Sequence, residues 1–314
     1  MMKRTWLLFS VSLFLILSCK NNSRQGDRSA KYNLQLNLHD TARYYYTITN
    51  STTTSATRND KEIETTNRSE IGMLYEMTKD STGNYLLKLT YDKLLITLQN
   101  QGGIQIIDAA KGADSPDPVE KVLSNIRGSS LLITMQPNGK ILQVAGSKEI
   151  ADKILASIST QEALVRQAIE KQISRLVGDQ FVQNSVAITA QLLPDSALYI
   201  GDSWSRTTEQ ISDITFRADT EYTLAAVADS IAEIEMKSGI EDIVMGANSG
   251  LGAAGYMVTT DLKGKQTGTM KMDVASGMIV AGVTNTTIEG TIQVAGNEVP
   301  LTIRMKKEVA AKKI

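Results

Sequence analysis

The sequence predicts an α+β fold, β-rich and antiparallel, in which one or more bent sheets pack on three central helices. Three observations predict it. Apolar and polar residues alternate from Tyr32 to about Asp108, three helical periods with their own start signals occupy the middle of the chain, and alternation returns after about Asn184 and continues to the end. Strands, then helices, then strands, without βαβ alternation and without an internal repeat, argue for antiparallel sheets.

The chain begins Met1-Met2-Lys3-Arg4, and Trp6 through Leu17 is apolar except for two serines. A run of about twelve residues suits the core of a signal peptide and falls short of the roughly 20 needed for a spanning helix. It ends in Leu15-Ile16-Leu17-Ser18-Cys19, and Cys19 is the only cysteine of the chain. This stretch resembles the lipobox of type II signal peptides, with aliphatic residues, a small residue and then the cysteine. The resemblance implies cleavage before Cys19, a diacylglycerol and further acyl chains, palmitate among them, on that cysteine, and attachment to a membrane through those chains. Residues 1–18 are then the signal peptide.

Residues 20 to 31, Lys-Asn-Asn-Ser-Arg-Gln-Gly-Asp-Arg-Ser-Ala-Lys, are polar or small. Together with Cys19 they are expected to form a lipidated flexible tether over 19–31, spanning about 20 Å. Lys20 stands where an Asp would retain a lipoprotein in the inner membrane of enteric bacteria. Similarity to those sorting rules implies the periplasmic face of an outer membrane.

Two regions follow, an N-terminal antiparallel β region with the central helices over 32–184 and a C-terminal antiparallel β region over 185–314. In the first, Leu34-Gln35-Leu36-Asn37-Leu38 and Tyr85-Leu86-Leu87-Lys88-Leu89-Thr90-Tyr91 have period two, and Asp80-Ser81-Thr82-Gly83-Asn84 reads as a turn. Tyr44-Tyr45-Tyr46 places aromatics on both faces of a strand. Asp117-Pro118-Val119-Glu120 sets a cap, a first-turn proline and a capping-box glutamate in order, and Val119, Val122, Leu123 and Ile126 form one apolar stripe. A second helix starts at Ser147 with Ile150 and Ile154 inward. A third starts at Ser159, with Leu164, Val165, Ala168, Ile169 and Ile173 on a broad apolar face.

In the second region, Asp273-Val274-Ala275-Ser276-Gly277 reads as a turn between Met-rich strands. Gly296-Asn297 reads as the turn of a last hairpin that pairs Val294 with Val299, Ile292 with Leu301 and Ile288 with Met305. Gly201-Asp202-Ser203-Trp204 leads a strand whose tryptophan fills the core, and Lys306-Lys307 and Lys312-Lys313 read as a solvated tail.

Several function classes drop out. Without the signal peptide the chain carries 33 − 2 = 31 basic against 34 acidic residues, no basis for binding nucleic acid. His39 is the one histidine and Cys19 is acylated, so no zinc or copper ligand set, and no cofactor, is expected. Gly250-Leu251-Gly252-Ala253-Ala254-Gly255 has dinucleotide-loop spacing, but Tyr256-Met257-Val258-Thr259-Thr260 after it reads as a strand where a helix is required. No catalytic motif emerges, and the expectation is a protein that is not an enzyme.

As a whole the chain resembles β-rich envelope lipoproteins, and at fold level is loosely similar to lipid-carrier lipoproteins in which a bent sheet wraps helices around a pocket. That resemblance implies a binding protein for an apolar ligand or a partner protein of the envelope. The expected cavity lies between the helices and the Met-rich strands, lined by Leu164, Ala168, Ile173, Met257, Met270, Met272 and Met278, with Gly246, Gly250, Gly252 and Gly255 on a mobile lid. The competing readings are a hydrolase using paired carboxylates on a β scaffold, and a purely structural envelope component.

Overall fold

The computed structural model describes residues 26–38, 41–58, 61–112, 114–115, 117–157, 170, 177–178, 193–210, 214–245, 258–294 and 297–314. Its strands are β1 (Ala42–Arg58), β2 (Lys61–Lys79), β3 (Tyr85–Asn100), β4 (Gly103–Asp108), β5 (Ser130–Met135), β6 (Ile141–Ala145), β7 (Ser203–Gln210), β8 (Ile214–Ala228), β9 (Ile231–Met245), β10 (Val258–Asp273), β11 (Met278–Val294) and β12 (Asn297–Lys313). They form one sheet in the order β6-β5-β3-β2-β1-β12-β11-β10-β9-β8-β7, with β4 beside β3. The first and last strands meet in the middle, where β1 and β12 pair antiparallel from Tyr44↔Lys313 to Ala56↔Leu301.

This architecture overturns the expected α+β fold on three central helices. The described residues are 67% strand and 10% helix, with two helices among them. These are α1 (Pro118–Ile126) and α2 (Ser147–Ser157). The reason is dimensional: nine and eleven helical residues make rods of about 14 and 17 Å, whereas a seventeen-residue strand such as β1 spans about 56 Å. Two such rods cannot form a layer over the sheet, and they pack at one end of it. Of the third helix expected from Ser159, only Glu170, Val177 and Gly178 are described.

Local signals place several boundaries. Asp117 caps α1, its carboxylate accepting from the N–H groups of Val119 (2.7 Å) and Glu120 (3.3 Å). Asp80 closes the β2–β3 turn by accepting from the N–H groups of Thr82 and Asn84. The last hairpin differs from expectation by two residues: Ile292 faces Val299 and Ile288 faces Ile303, so positions 295 and 296 separate the paired ends Val294 and Asn297. A shift of two keeps every side chain on its own face, so the apolar pattern is satisfied equally by both registers.

The turn end of the sheet is sealed by the N-terminal segment. Tyr32 pairs with Leu198, and the Asn37 N–H donates to the Ser276 carbonyl at 3.0 Å. The Tyr85 hydroxyl donates to the Leu36 carbonyl and accepts from the Leu38 N–H, at 3.1 and 3.2 Å. Residues 32–38 thereby strap β3 to the β10–β11 turn. The strap passes so close to Gly277, at φ +69°, that a Cβ there would lie 2.2 Å from the Gln35 carbonyl oxygen. Beneath it Leu34, Tyr44, Tyr75, Met73, Leu89 and, from α1, Leu123 and Ile126 form the main core. A second buried cluster lies further along β8–β12 and includes Phe216, Ile240, Ile288, Ile292, Leu301 and Ile303.

Candidate functional site

The apolar clusters both lie on one face of the sheet, here the inner face, and register shows what separates them. On β12 the inner positions run Leu301, Ile303, Met305, Lys307, Val309, Ala311. Their partners on β1 are Ala56, Thr54, Thr52, Asn50, Ile48 and Tyr46, and on β11 Gly290, Ile288, Thr286, Thr284 and Gly282 face Leu301 through Val309. A polar row therefore crosses the sheet between the two clusters.

Part of that row is a hydrogen-bonded ladder. The Thr220 and Ser238 hydroxyls are 2.7 Å apart, the Ser238 hydroxyl donates to Gln266 Oε1 at 3.4 Å, and Gln266 Nε2 donates to the Thr286 hydroxyl at 2.9 Å. Four strands thus satisfy one another's buried polar groups, which avoids the cost of leaving them unpaired. On the next rung the Thr284 hydroxyl donates to the thioether of Met236 at 3.8 Å, a weak acceptor. Asn50 Nδ2 donates to the Ser69 hydroxyl at 3.4 Å.

Between Asn50 and Thr284 stands Lys307. Burial pushes its ammonium down from 10.5 to about 8, and among the described residues no carboxylate pairs with it. Its neighbours in sequence form their own pair on the outer face, Lys306 Nζ to Glu308 Oε1 at 2.8 Å. Lys307 and its surroundings are half-buried, not sealed: Lys307, Asn50, Thr52, Thr284, Met305 and Val309 all keep part of their surface in contact with solvent, whereas the residues under the strap keep almost none.

The expected site residues fall elsewhere or out of view. Cys19, His39, Leu164, Ala168, Ile173, Met257, Gly246, Gly250, Gly252 and Gly255 lie outside the described residues. Met270, Met272 and Met278 come together, but within the sealed core, at 7%, 0% and 0% exposure. Trp204 on β7 stacks on Tyr222 with ring centroids 5.4 Å apart, half-buried at the edge of that core. The lysines read as a solvated tail are part of β12, in the middle of the sheet. The signal for Lys307 was its phase, since it occupies the fourth inner position in an alternation that starts at Leu301.

Among the described residues no group of three or more His, Cys, Asp or Glu side chains is placed to hold a metal ion. The buried carboxylate among them is Glu120, which lies beside α1 and is engaged by Lys111 Nζ (2.8 Å), the Ser115 hydroxyl (2.5 Å) and the Asp108 N–H (3.3 Å). Lys111, and after it Ser115, hold the Glu120 carboxyl below the usual carboxylate range. It fastens the start of the helix, and its partners among the described residues are these cationic and neutral donors. No described helix is long and apolar enough to cross a membrane.

A family model described as a family of unknown function (DUF6263) matches residues 82–279. No curated protein matches the chain in sequence. Among solved structures, the fold is similar to lipovitellin, in a structure concerned with its lipid–protein interactions, at 8% identity and a TM-score of 0.52, covering 88% of this chain and 25% of that one. The chain thus spans about a quarter of the length of that protein. An outer membrane channel from Pseudomonas putida F1 (9% identity, TM-score 0.23, 88% and 97% covered) and MucB in complex with MucA(peri) (8%, 0.13, 85% and 88%) resemble it too little in shape to bear on the argument.

Proposed function

The chain belongs to the DUF6263 family, and from that premise we propose that it is a non-catalytic binding protein of the bacterial envelope, carried on a membrane by acyl chains on Cys19, that holds an apolar ligand on the inner face of its sheet. One observation carries the reading. The central strands β11, β12 and β1 leave an apolar, hydroxyl-rich surface half-open between two sealed clusters, although burying Val309 and Met305 fully would stabilise the fold by roughly 1 kcal/mol or more each. A surface left in this state suits an occupant that comes and goes. The likeness of fold to lipovitellin, whose lipid–protein interactions that structure concerns, supports the same ligand class.

The anchor follows from the lipobox-like Leu15-Ile16-Leu17-Ser18-Cys19, and two or more acyl chains would hold the protein firmly on a bilayer. The orientation toward the periplasmic side of an outer membrane rests on Lys20. The test is native mass spectrometry with lipid extraction on protein taken from its own membrane, with Cys19→Ala alongside. The reading expects an acyl-modified N-terminal cysteine, lost in the variant, and a second, non-covalent apolar ligand retained by the folded chain. A chain that carries no such ligand and takes up no added amphiphile would overturn the binding assignment. Unchanged processing and retention of Cys19→Ala would overturn the anchor.

A further inference from the structure

We infer that the ligand of the inner face is an anionic amphiphile, a single acyl chain ending in a carboxylate or similar acidic head, and that Lys307 is the residue that meets the head. This rests on the apolar-ligand reading above and adds to it the charge and position of the head.

The first ground is the contrast between Lys307 and the other cations of the sheet. Arg43 pairs with Glu76, Lys93 with Glu70 and Lys306 with Glu308, all toward solvent. Lys307 points to the inner face, where its neighbours in register are Asn50 and Thr284 and its neighbours along the strand are Met305 and Val309. None of these carries a charge. A methionine would fill the same volume on a flexible unbranched chain without desolvating an ammonium. An amine with no carboxylate partner among the described residues is retained in such a place at a cost to the fold, and an anion that arrives with the ligand would remove that cost.

The second ground is the arrangement of donors around it. The Thr284 hydroxyl is spent on a thioether at 3.8 Å and can turn to a better acceptor, and Asn50 Nδ2 holds the Ser69 hydroxyl only at 3.4 Å. An acidic head over Lys307 would have three donors from three adjacent strands within reach, placed where water competes less. Although burial lowers the ammonium's pKa to about 8, it remains mainly protonated at neutral pH.

The third ground is what lies on either side. Along the strands in one direction the inner face continues into Ile303, Leu301 and Ile288, and in the other into Val309, Ala311 and Tyr46. The surface open to a chain anchored at Lys307 is the half-buried part of this row, Met305 on one side and Val309 and Ala311 on the other, which pack against the two sealed clusters. Basic and apolar surface are juxtaposed here, so the match is to an amphiphile and not to a free small anion.

The test uses the full chain and two variants, Lys307→Met and Lys307→Arg, titrated calorimetrically at neutral pH with dodecanoate and with dodecanol. The expected result is tighter binding of dodecanoate than of dodecanol by about tenfold to a hundredfold, the worth of a charge-assisted contact. Lys307→Met should erase that preference while dodecanol binding stays within about twofold, and Lys307→Arg should keep most of it. Equal affinity for the two probes in the unmodified chain, or a preference that survives in Lys307→Met, overturns the inference and leaves the apolar-ligand reading standing. Failure of both probes to bind brings down the apolar-ligand reading itself.

Discussion

The turn end of the sheet and its middle are built from the same strands but solve opposite problems. Under the strap, Leu34, Met73, Leu89 and Tyr91 are at 0% exposure, and polar atoms there are spent on holding the strap in place, as with the Tyr85 hydroxyl and the Leu36 carbonyl. In the middle, further along β12 and β1, the inner face turns to Lys307, Asn50 and Thr52, and burial is incomplete. The difference teaches that stability and binding are divided along the strand direction. One end carries the fold, so the middle can tolerate a desolvated amine and unfilled apolar surface.

The largest effect expected from that division is on stability. Leu89→Ala, in the sealed end, should cost about 3 to 4 kcal/mol, because a fully buried leucine leaves a cavity that the surrounding strands and α1 cannot close. Val309→Ala, on the half-open part of the same face, should cost about 1 kcal/mol or less. Urea unfolding of both variants checks the pair, and equal losses would mean that the middle is packed as tightly as the end.

Next in size is a gain. The folded-state pKa of Lys307 lies below its unfolded value of 10.5, at about 8, so between those values the unfolded chain binds the extra proton and stability rises with pH. Below that window the charged amine costs the fold up to about 3 kcal/mol, since each tenfold change in a protonation equilibrium is worth about 1.4 kcal/mol. Lys307→Met is therefore expected to be more stable than the unmodified chain at neutral pH, by no more than about 3 kcal/mol, and to lose most of that advantage by about pH 10.5, the unfolded value. Unfolding curves at the two pH values decide it. A variant less stable at neutral pH would show that Lys307 has a favourable partner.

Helix α1 caps the sealed end, and Asp117→Ala should cost about 1 kcal/mol through its two lost N–H contacts. The same helix shows what was legible in the sequence. Its cap, its proline and its apolar stripe are local signals and place it within a residue, as Asp80 and Asp273 do for two turns, and of the stripe Val122, Leu123 and Ile126 turn inward while Val119 stays exposed. The twelve-stranded sheet was not legible because its central pairing joins β1 to β12, more than two hundred residues apart, and no local pattern specifies a partner at that distance. The expected three-helix layer is absent among the described residues: apolar periodicity in a helix shows which face is buried, but not how much sheet it covers.

The candidate site was missed for a related reason. Four lysines among the last nine residues resemble a solvated tail by composition, and only the phase of Leu301, Ile303, Met305, Lys307, Val309 and Ala311 shows that Lys307 turns inward while Lys306 and Lys312 do not. Softness makes the methionines candidate cavity lining from sequence, yet Met272 and Met278 fill the sealed core beside the strap. Softness does not discriminate core filling from ligand contact.

The smallest expected effect compares the two faces at one strand. Tyr45 and Tyr46 are neighbours on β1, and the Tyr46 hydroxyl donates inward to the Ile279 carbonyl at 2.8 Å while the Tyr45 hydroxyl donates outward to Asp92 Oδ2 at 2.7 Å. Tyr45 reaches across β2 to β3 only because Gly72 lies between, where a Cβ would come 2.3 Å from its hydroxyl oxygen. The outward bond competes with water, so Tyr45→Phe should cost about 0.5 kcal/mol, whereas Tyr46→Phe removes a donor from within the core and should cost about 1 to 2 kcal/mol. Tyr45 also titrates. Burial first, and then Asp92, push its phenol from 10.0 up to about 12, so its contribution is complete below the unfolded value and is lost as pH rises through the folded one, because the unfolded phenol ionises more readily. The small advantage of the unmodified chain over Tyr45→Phe should therefore vanish and then reverse as pH rises from 10.0 toward about 12. An advantage of the unmodified chain that grows with pH over that range would mean that the phenol ionises more readily in the folded chain, contrary to the geometry of a neutral hydroxyl donating to a carboxylate.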